Sequence, residues 1–315
     1  MNNNQLTKPF WFANVWNFFP EFTVEDLELN YLRWSAYRQS FAKMLHPVQL
    51  DQMLDATCLE RLPTDLTGIV ISFHYGPYRL IPRYLLAAGY KITVLASPNI
   101  IKEEQKETEQ LLLYNNLEAD SLRYIDASRR TVLKNILSAL NEKRLVLVYL
   151  DADEGANRLA VKEPRALLKV PVAASRLYFH ASITQFAFRF QLPLSFLLME
   201  KNKNNGLWNL ALSKRLRCKR GEQPNGFMKR FKGQLNKVIT RIVMKDWTAW
   251  ENWPLIHIYH PDVEDRTVVL QDALRWVMPI YVQERAFFFD VKNREFFELK
   301  NEKFAERVKS IKSSK

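Results

Sequence analysis

The most constraining feature of this chain is a set of short, unbroken apolar runs separated by helix-length segments. Ile69-Val70-Ile71-Ser72-Phe73 and Arg144-Leu145-Val146-Leu147-Val148-Tyr149-Leu150 show no polar alternation. Strands built from such runs must be covered on both faces. Between them lie a helical pattern from Tyr78 to Ala88 closed by Gly89, then a strand from Tyr90 to Ala96 stopped by Ser97-Pro98-Asn99. A charged helix from Ile101 to Leu117, a strand from Leu122 to Ile125 and a helix from Arg130 to Asn141 complete the series. Repeated strand–helix order predicts an α/β fold: a mostly parallel central sheet with helices on both faces. Ala166 to Val170, Val172 to Tyr178 and Ile183 to Phe190 read as more of this alternation, and Leu194 to Met199 and Trp208 to Leu212 as later strands.

Both ends differ from this middle. Helices are expected over Val24 to Met44, with Thr23 as N-cap, and from Pro47 to about Leu62. Before them, Pro9 to Pro20 is rich in Trp and Phe interleaved with Asn. Such a run suits either the headgroup boundary of a membrane or packing on the body of the protein. It is too short and polar to span a bilayer, and it has neither the charge pattern nor the cleavage site of a signal peptide. At the far end, Phe287 to Val291 and Arg294 to Leu299 flank Lys292-Asn293 as a β-hairpin, followed by a basic helix. The expected organisation is therefore a helical, membrane-interfacial preamble over residues 1–66, an α/β domain over 67–265 and an appendage over 266–315.

Charge narrows the function classes. There are 46 Lys and Arg against 34 Asp and Glu among 315 residues, a net charge of +12. Thirteen of these bases lie between Lys201 and Lys245, against the single acid Glu222. A patch of that density favours an anionic partner. No helix-turn-helix, zinc-finger or RNP-type signature accompanies it, so specific nucleic-acid binding is not expected. G-x-x-x-x-G-K-[ST] and G-x-G-x-x-G phosphate loops are absent, and two cysteines cannot form a disulfide framework. His257 and His260 lack the spacing and third ligand of a zinc site, so no metal is expected.

The sharpest site signal is Ser72-Phe73-His74-Tyr75-Gly76-Pro77-Tyr78-Arg79, at the carboxyl end of the first strand. Sites in open α/β sheets form there, and an imidazole can serve as general base near neutral pH. The run Gly68 to Leu95 (GIVISFHYGPYRLIPRYLLAAGYKITVL) resembles the first motif of the lysophospholipid acyltransferase superfamily, in its lipid A late-acyltransferase branch. The resemblance spans roughly Thr67 to Phe190, through the acidic loop Leu150-Asp151-Ala152-Asp153-Glu154-Gly155, and Trp247-Thr248-Ala249-Trp250 is similar to an aromatic run of that family. It implies a glycerolipid acyltransferase-like fold in which His74 deprotonates a hydroxyl that attacks a carrier-bound thioester, with backbone N–H groups near Gly76 holding the oxyanion.

One departure matters. The family pattern is His, four residues, then Asp or Glu, and here that position is Arg79. A guanidinium cannot accept the imidazole N–H, so another carboxylate must serve. Glu103 and Glu104 follow the second strand; Asp151 and Asp153 follow the Arg144–Leu150 strand. Sequence-adjacent strands tend to be spatial neighbours, which favours Glu103, although acids also complement helix N-termini. A degenerate acid position and a basic body resemble the lipid A glycyltransferases of polymyxin-resistance pathways. The resemblance implies transfer of glycyl from a carrier protein's phosphopantetheine thioester to a lipid A acyl-chain hydroxyl, with no bound cofactor. It also implies a peripheral position on the cytoplasmic face of the inner membrane. Late fatty-acyl transfer and a non-catalytic lipid-binding role are the alternatives. Arg129, Arg130, Arg158, Lys162 and Arg165 are expected to meet lipid A phosphates, with Gly76 and Arg79 also at the substrate. Lys214, Arg215, Arg217, Lys219 and Arg220 are expected to dock the acidic carrier protein.

Overall fold

The computed structural model describes residues 4–44, 62–152, 167–201, 208–259, 277–282, 285–292 and 294–299. Its centre is a mixed, mostly parallel six-stranded sheet. In chain order the strands are β1 (Ile69–Ser72), β2 (Ile92–Ala96), β3 (Leu122–Asp126), β4 (Leu145–Tyr149), β7 (Leu194–Lys201) and β8 (Trp208–Leu212); across the sheet they run β3-β2-β4-β1-β7-β8. Only β8 is antiparallel to its neighbour. All four residues of β1 are buried, as an unbroken apolar run in the middle of a sheet requires.

Helices α3 (Leu80–Ala87) and α4 (Pro98–Tyr114) carry the chain from β1 toward β3, and α5 (Val132–Asn141) and α6 (Ser182–Arg189) carry it back past β1 to β7. Right-handed crossovers put these two pairs on opposite faces. The direction of travel reverses between β4 and β1, so the loops after those strands part and leave a crevice at the carboxyl edge. Ser97 caps α4 by accepting a hydrogen bond from the Ile100 N–H, and Pro98 opens it. At the opposite edge the buried Arg144 guanidinium ties β4 to its neighbours. It donates to the Thr93 hydroxyl at 2.8 Å and to the Asp120 carbonyl at 2.7 Å.

The segment from 167 to 180 departs from the expected alternation. β5 (Leu167–Val172) and β6 (Ser175–His180) form an antiparallel hairpin outside the main sheet. Ala173, with φ of 46°, makes the turn that folds the chain back before any crossover helix can form. The hairpin is fixed to the preamble: the Ala174 N–H donates to the Phe18 carbonyl at 3.0 Å.

The aromatic N-terminal run forms α1 (Asn4–Phe18), and its rings pack inward. Trp11, Phe12, Val15 and Phe18 are all fully buried. The buried Asn14 amide donates to the Trp253 carbonyl at 2.8 Å, which ties the helix to the body. Of the two options open to the run, the structure shows packing on the body. α2 (Val24–Lys43) starts at a capping box made by Thr23 and Asp26. The Trp34 indole N–H of α2 donates to the Trp250 carbonyl at 3.0 Å. The C-terminal hairpin is present as β10 (Arg285–Asp290) and β11 (Glu295–Leu299), joined by a third strand, β9 (Val277–Val282), that the sequence reading missed. It rests on α1 through Phe289, 5.4 Å from the Phe10 ring. The helix expected over Pro47 to Leu62 and the final basic helix lie outside the described residues. Among the described residues no helix is long and apolar enough to cross a membrane.

If α1 is part of the core, truncating its largest buried ring should be costly. Trp11→Ala is expected to lower unfolding free energy by about 3–5 kcal/mol in chemical denaturation. Leu29→Ala, at an exposed position on α2, should change it by less than about 0.5 kcal/mol.

Candidate active site

The crevice between β1 and β4 brings two loops together. His74 follows β1, and Asp151 follows β4, with Ser72 and Tyr149 in register across the pair. The His74 Nδ1 lies 3.0 Å from Asp151 Oδ1, and the His74 backbone N–H donates to both carboxylate oxygens at 3.1 Å. Asp151 is almost fully buried. It is satisfied further by the Trp250 indole N–H, which donates to Oδ2 at 2.6 Å. The Asn252 amide donates to the Asp151 carbonyl at 2.6 Å and lies 3.1 Å from His74 Nδ1. Nδ1 cannot both accept from Asn252 and donate to Asp151. The carboxylate, as the charged acceptor, takes the proton of Nδ1, and Nε2 is then the basic nitrogen.

This answers the question posed by Arg79. The carboxylate that meets the imidazole is Asp151, one of the candidates, and not the favoured Glu103. The neighbour argument failed because the chain leaves β1 for β2 but the sheet inserts β4 between them. Glu104 also lies elsewhere: it accepts from the Tyr124 hydroxyl at 3.2 Å and meets Arg79 Nε at 3.8 Å. Burial pushes its carboxyl above the ordinary range, against the pull of Arg79. Asp153, Arg158, Lys162 and Arg165 lie outside the described residues.

A cavity of about 760 Å³ opens on the ring, lined by His74, Tyr78, Arg79, Glu103, Glu104, Tyr149 and Asn252 among others. Tyr78 packs edge-on to the imidazole at 4.6 Å and Tyr149 lies at 5.0 Å. Burial pushes both phenols well above their usual range, so they stay protonated. Arg38 of α2 and Glu251 complete part of the wall. A second cavity of about 550 Å³ lies between α2 and the Gly76–Arg79 loop and shares Arg38, Tyr78, Arg79 and Glu251 with the first.

Gly76 does not have the expected role. Its N–H donates to the Ala249 carbonyl at 2.9 Å and is unavailable to an oxyanion. The residue is needed for shape: φ is +61°, and a Cβ would stand 2.5 Å from the Trp208 ring. Arg129 is exposed and pairs with Asp126 at 3.0 Å, Arg130 is exposed, and neither lines the cavity. They follow β3, which is at the edge of the sheet and three places from β1. The Lys214–Arg220 cluster sits where β7 begins, since Leu216 bridges Leu194, at the edge opposite His74. Arg215 there is held by Asp65 at 3.1 Å.

Four site residues were not singled out. Asn252 and Arg38 carried no signal that a sequence pattern could isolate. Trp250 lay within the aromatic run already noted, and Tyr149 was counted only as part of a strand. Among the described residues no group of three His, Cys, Asp or Glu is placed to hold a metal ion.

Trp250→Phe keeps the ring and removes one donor to the buried carboxylate. It is expected to cost about 1.5–3 kcal/mol of stability in chemical denaturation. A loss no larger than that of an exposed substitution would show that the indole does not support Asp151. No protein-family model matches this chain, and no curated protein matches it in sequence.

Proposed function

We propose that the protein is an acyltransferase-type enzyme that moves a glycyl group from a carrier-protein thioester to a lipid A acyl-chain hydroxyl. The observation that carries this reading is the His74–Asp151 pair, set at a strand-end crevice on the wall of a large cavity. In the proposed step the acceptor hydroxyl gives its proton to His74 Nε2 while its oxygen bonds to the thioester carbonyl carbon. Asp151 orients the ring and stabilises the imidazolium that forms. Collapse of the tetrahedral intermediate breaks the C–S bond, and the imidazolium returns the proton to the departing thiolate. Ester and free thiol are the products. With the Gly76 N–H committed elsewhere, we assign stabilisation of the carbonyl oxygen to Arg79, on the same wall.

The walls favour a small polar donor over a fatty-acyl chain. Arg38, Arg79, Glu103, Glu104 and Glu251 all line the cavity, and an alkyl chain laid along them would strip water from charges without replacing it. For the carrier protein, Lys229, Lys237 and Lys245 are exposed along α7 (Pro224–Asp246), whose carboxyl end leads directly into the segment holding Trp250. Acidic carriers suit such a basic helix. A peripheral place at the cytoplasmic face of the inner membrane belongs to the same proposal.

Mass spectrometry of lipid A from cells expressing the protein tests it. The wild type is expected to add glycine, and His74→Ala and Asp151→Asn to reduce the rate by about 10²–10⁴ at equal protein levels. Unmodified lipid A with the wild type, or full modification with His74→Ala, would refute the assignment.

A further inference from the structure

The charges on the wall of the 760 Å³ cavity do not balance. Arg38 meets Glu251 at 3.5 Å, and Arg79 meets Glu104 at 3.8 Å. Asp151, behind the ring, is taken up by hydrogen bonds from His74, Trp250 and Asn252. Glu103 remains: it is exposed on α4 and lines the same wall, with no ion pair or hydrogen bond among the described residues. One carboxylate is therefore left over.

That remainder runs against the rest of the molecule. In a chain with 46 bases and 34 acids, a cavity made to receive a phosphate would be expected to keep a spare cation. Here the sign is reversed. Tyr78, Tyr124 and Tyr149 line the same cavity as Glu103, and the face of an aromatic ring attracts a cation and tolerates its desolvation. An unmatched carboxylate facing a ring-lined cavity recognises a positively charged group and repels a negatively charged one.

We propose that Glu103 determines specificity by reading a primary ammonium on the group brought to His74. The inference rests on the transfer reading above and deepens it: the donor's acyl group carries a cation close to its carbonyl. A neutral acyl group of equal size leaves Glu103 without a partner. Glu103 thus has a role at this site different from supporting the imidazole.

Paired ligands of one shape and different charge provide the test. N-glycyl cysteamine and N-propionyl cysteamine have the same heavy-atom outline, and as amides they resist transfer. Titration calorimetry with the full chain is expected to show the glycyl compound bound about tenfold more tightly by the wild type. Glu103→Gln should cut that preference to less than about twofold, and Glu103→Lys should reverse it. Circular dichroism of the variants should be unchanged, because the position is exposed on a helix. Equal binding of the two compounds by the wild type, or a preference that survives Glu103→Gln, overturns the inference. Turnover of the matching glycyl thioester is scored separately with His74→Ala, so failure of transfer and failure of cation recognition give different results.

Discussion

The site depends on a carboxylate that has been taken out of water. Asp151 is buried, and an isolated buried carboxylate would be costly. It persists because four donors converge on it or on its carbonyl: the His74 amide and ring, the Trp250 indole and the Asn252 amide. Each comes from a loop whose course is set elsewhere. The β1–β4 register delivers His74 to Asp151. The segment from Ala249 to Glu251 is pinned to the His74–Gly76 loop by backbone hydrogen bonds in both directions. Trp34 of α2 holds that segment at the Trp250 carbonyl, and Asn14 of α1 holds the chain just beyond it at the Trp253 carbonyl. The N-terminal helices thus act on the site by positioning the loop that supplies Trp250 and Asn252.

Much of the fold was legible because its signals are local. Unbroken apolar runs marked β1 and β4, and Ser97-Pro98-Asn99 marked the end of β2; the helix after it begins at Pro98, three residues before the expected Ile101. The β5–β6 hairpin was not legible: Pro171 and the left-handed Ala173 make a turn whose consequence is tertiary. β9, with a proline in its middle, gave no clear strand pattern.

The site was half legible for a related reason. His74 stood out because a strand end and a Gly-Pro turn are visible in sequence. Its partner did not, because strand order is not written in strand sequence. The inference from β1 to the next strand along the chain is sound on average and failed here, as β4 occupies the position between β1 and β2. Asn252 and Arg38 were hidden for the same reason, each reaching the cavity from a remote part of the chain. Glu103 lines the cavity, but the carboxylate that meets the imidazole is Asp151.

The way His74 is anchored has a wider consequence. Its amide and its ring grip the same carboxylate, 77 residues away along the chain yet one hydrogen bond away in space. The residue is clamped through its backbone and its ring, so under the proposed transfer both molecules must be carried to a fixed point. Nor does anything in this arrangement require an acid at a set interval after the histidine. A recognition pattern written around such an interval would pass over every chain in which a distant strand has assumed that duty.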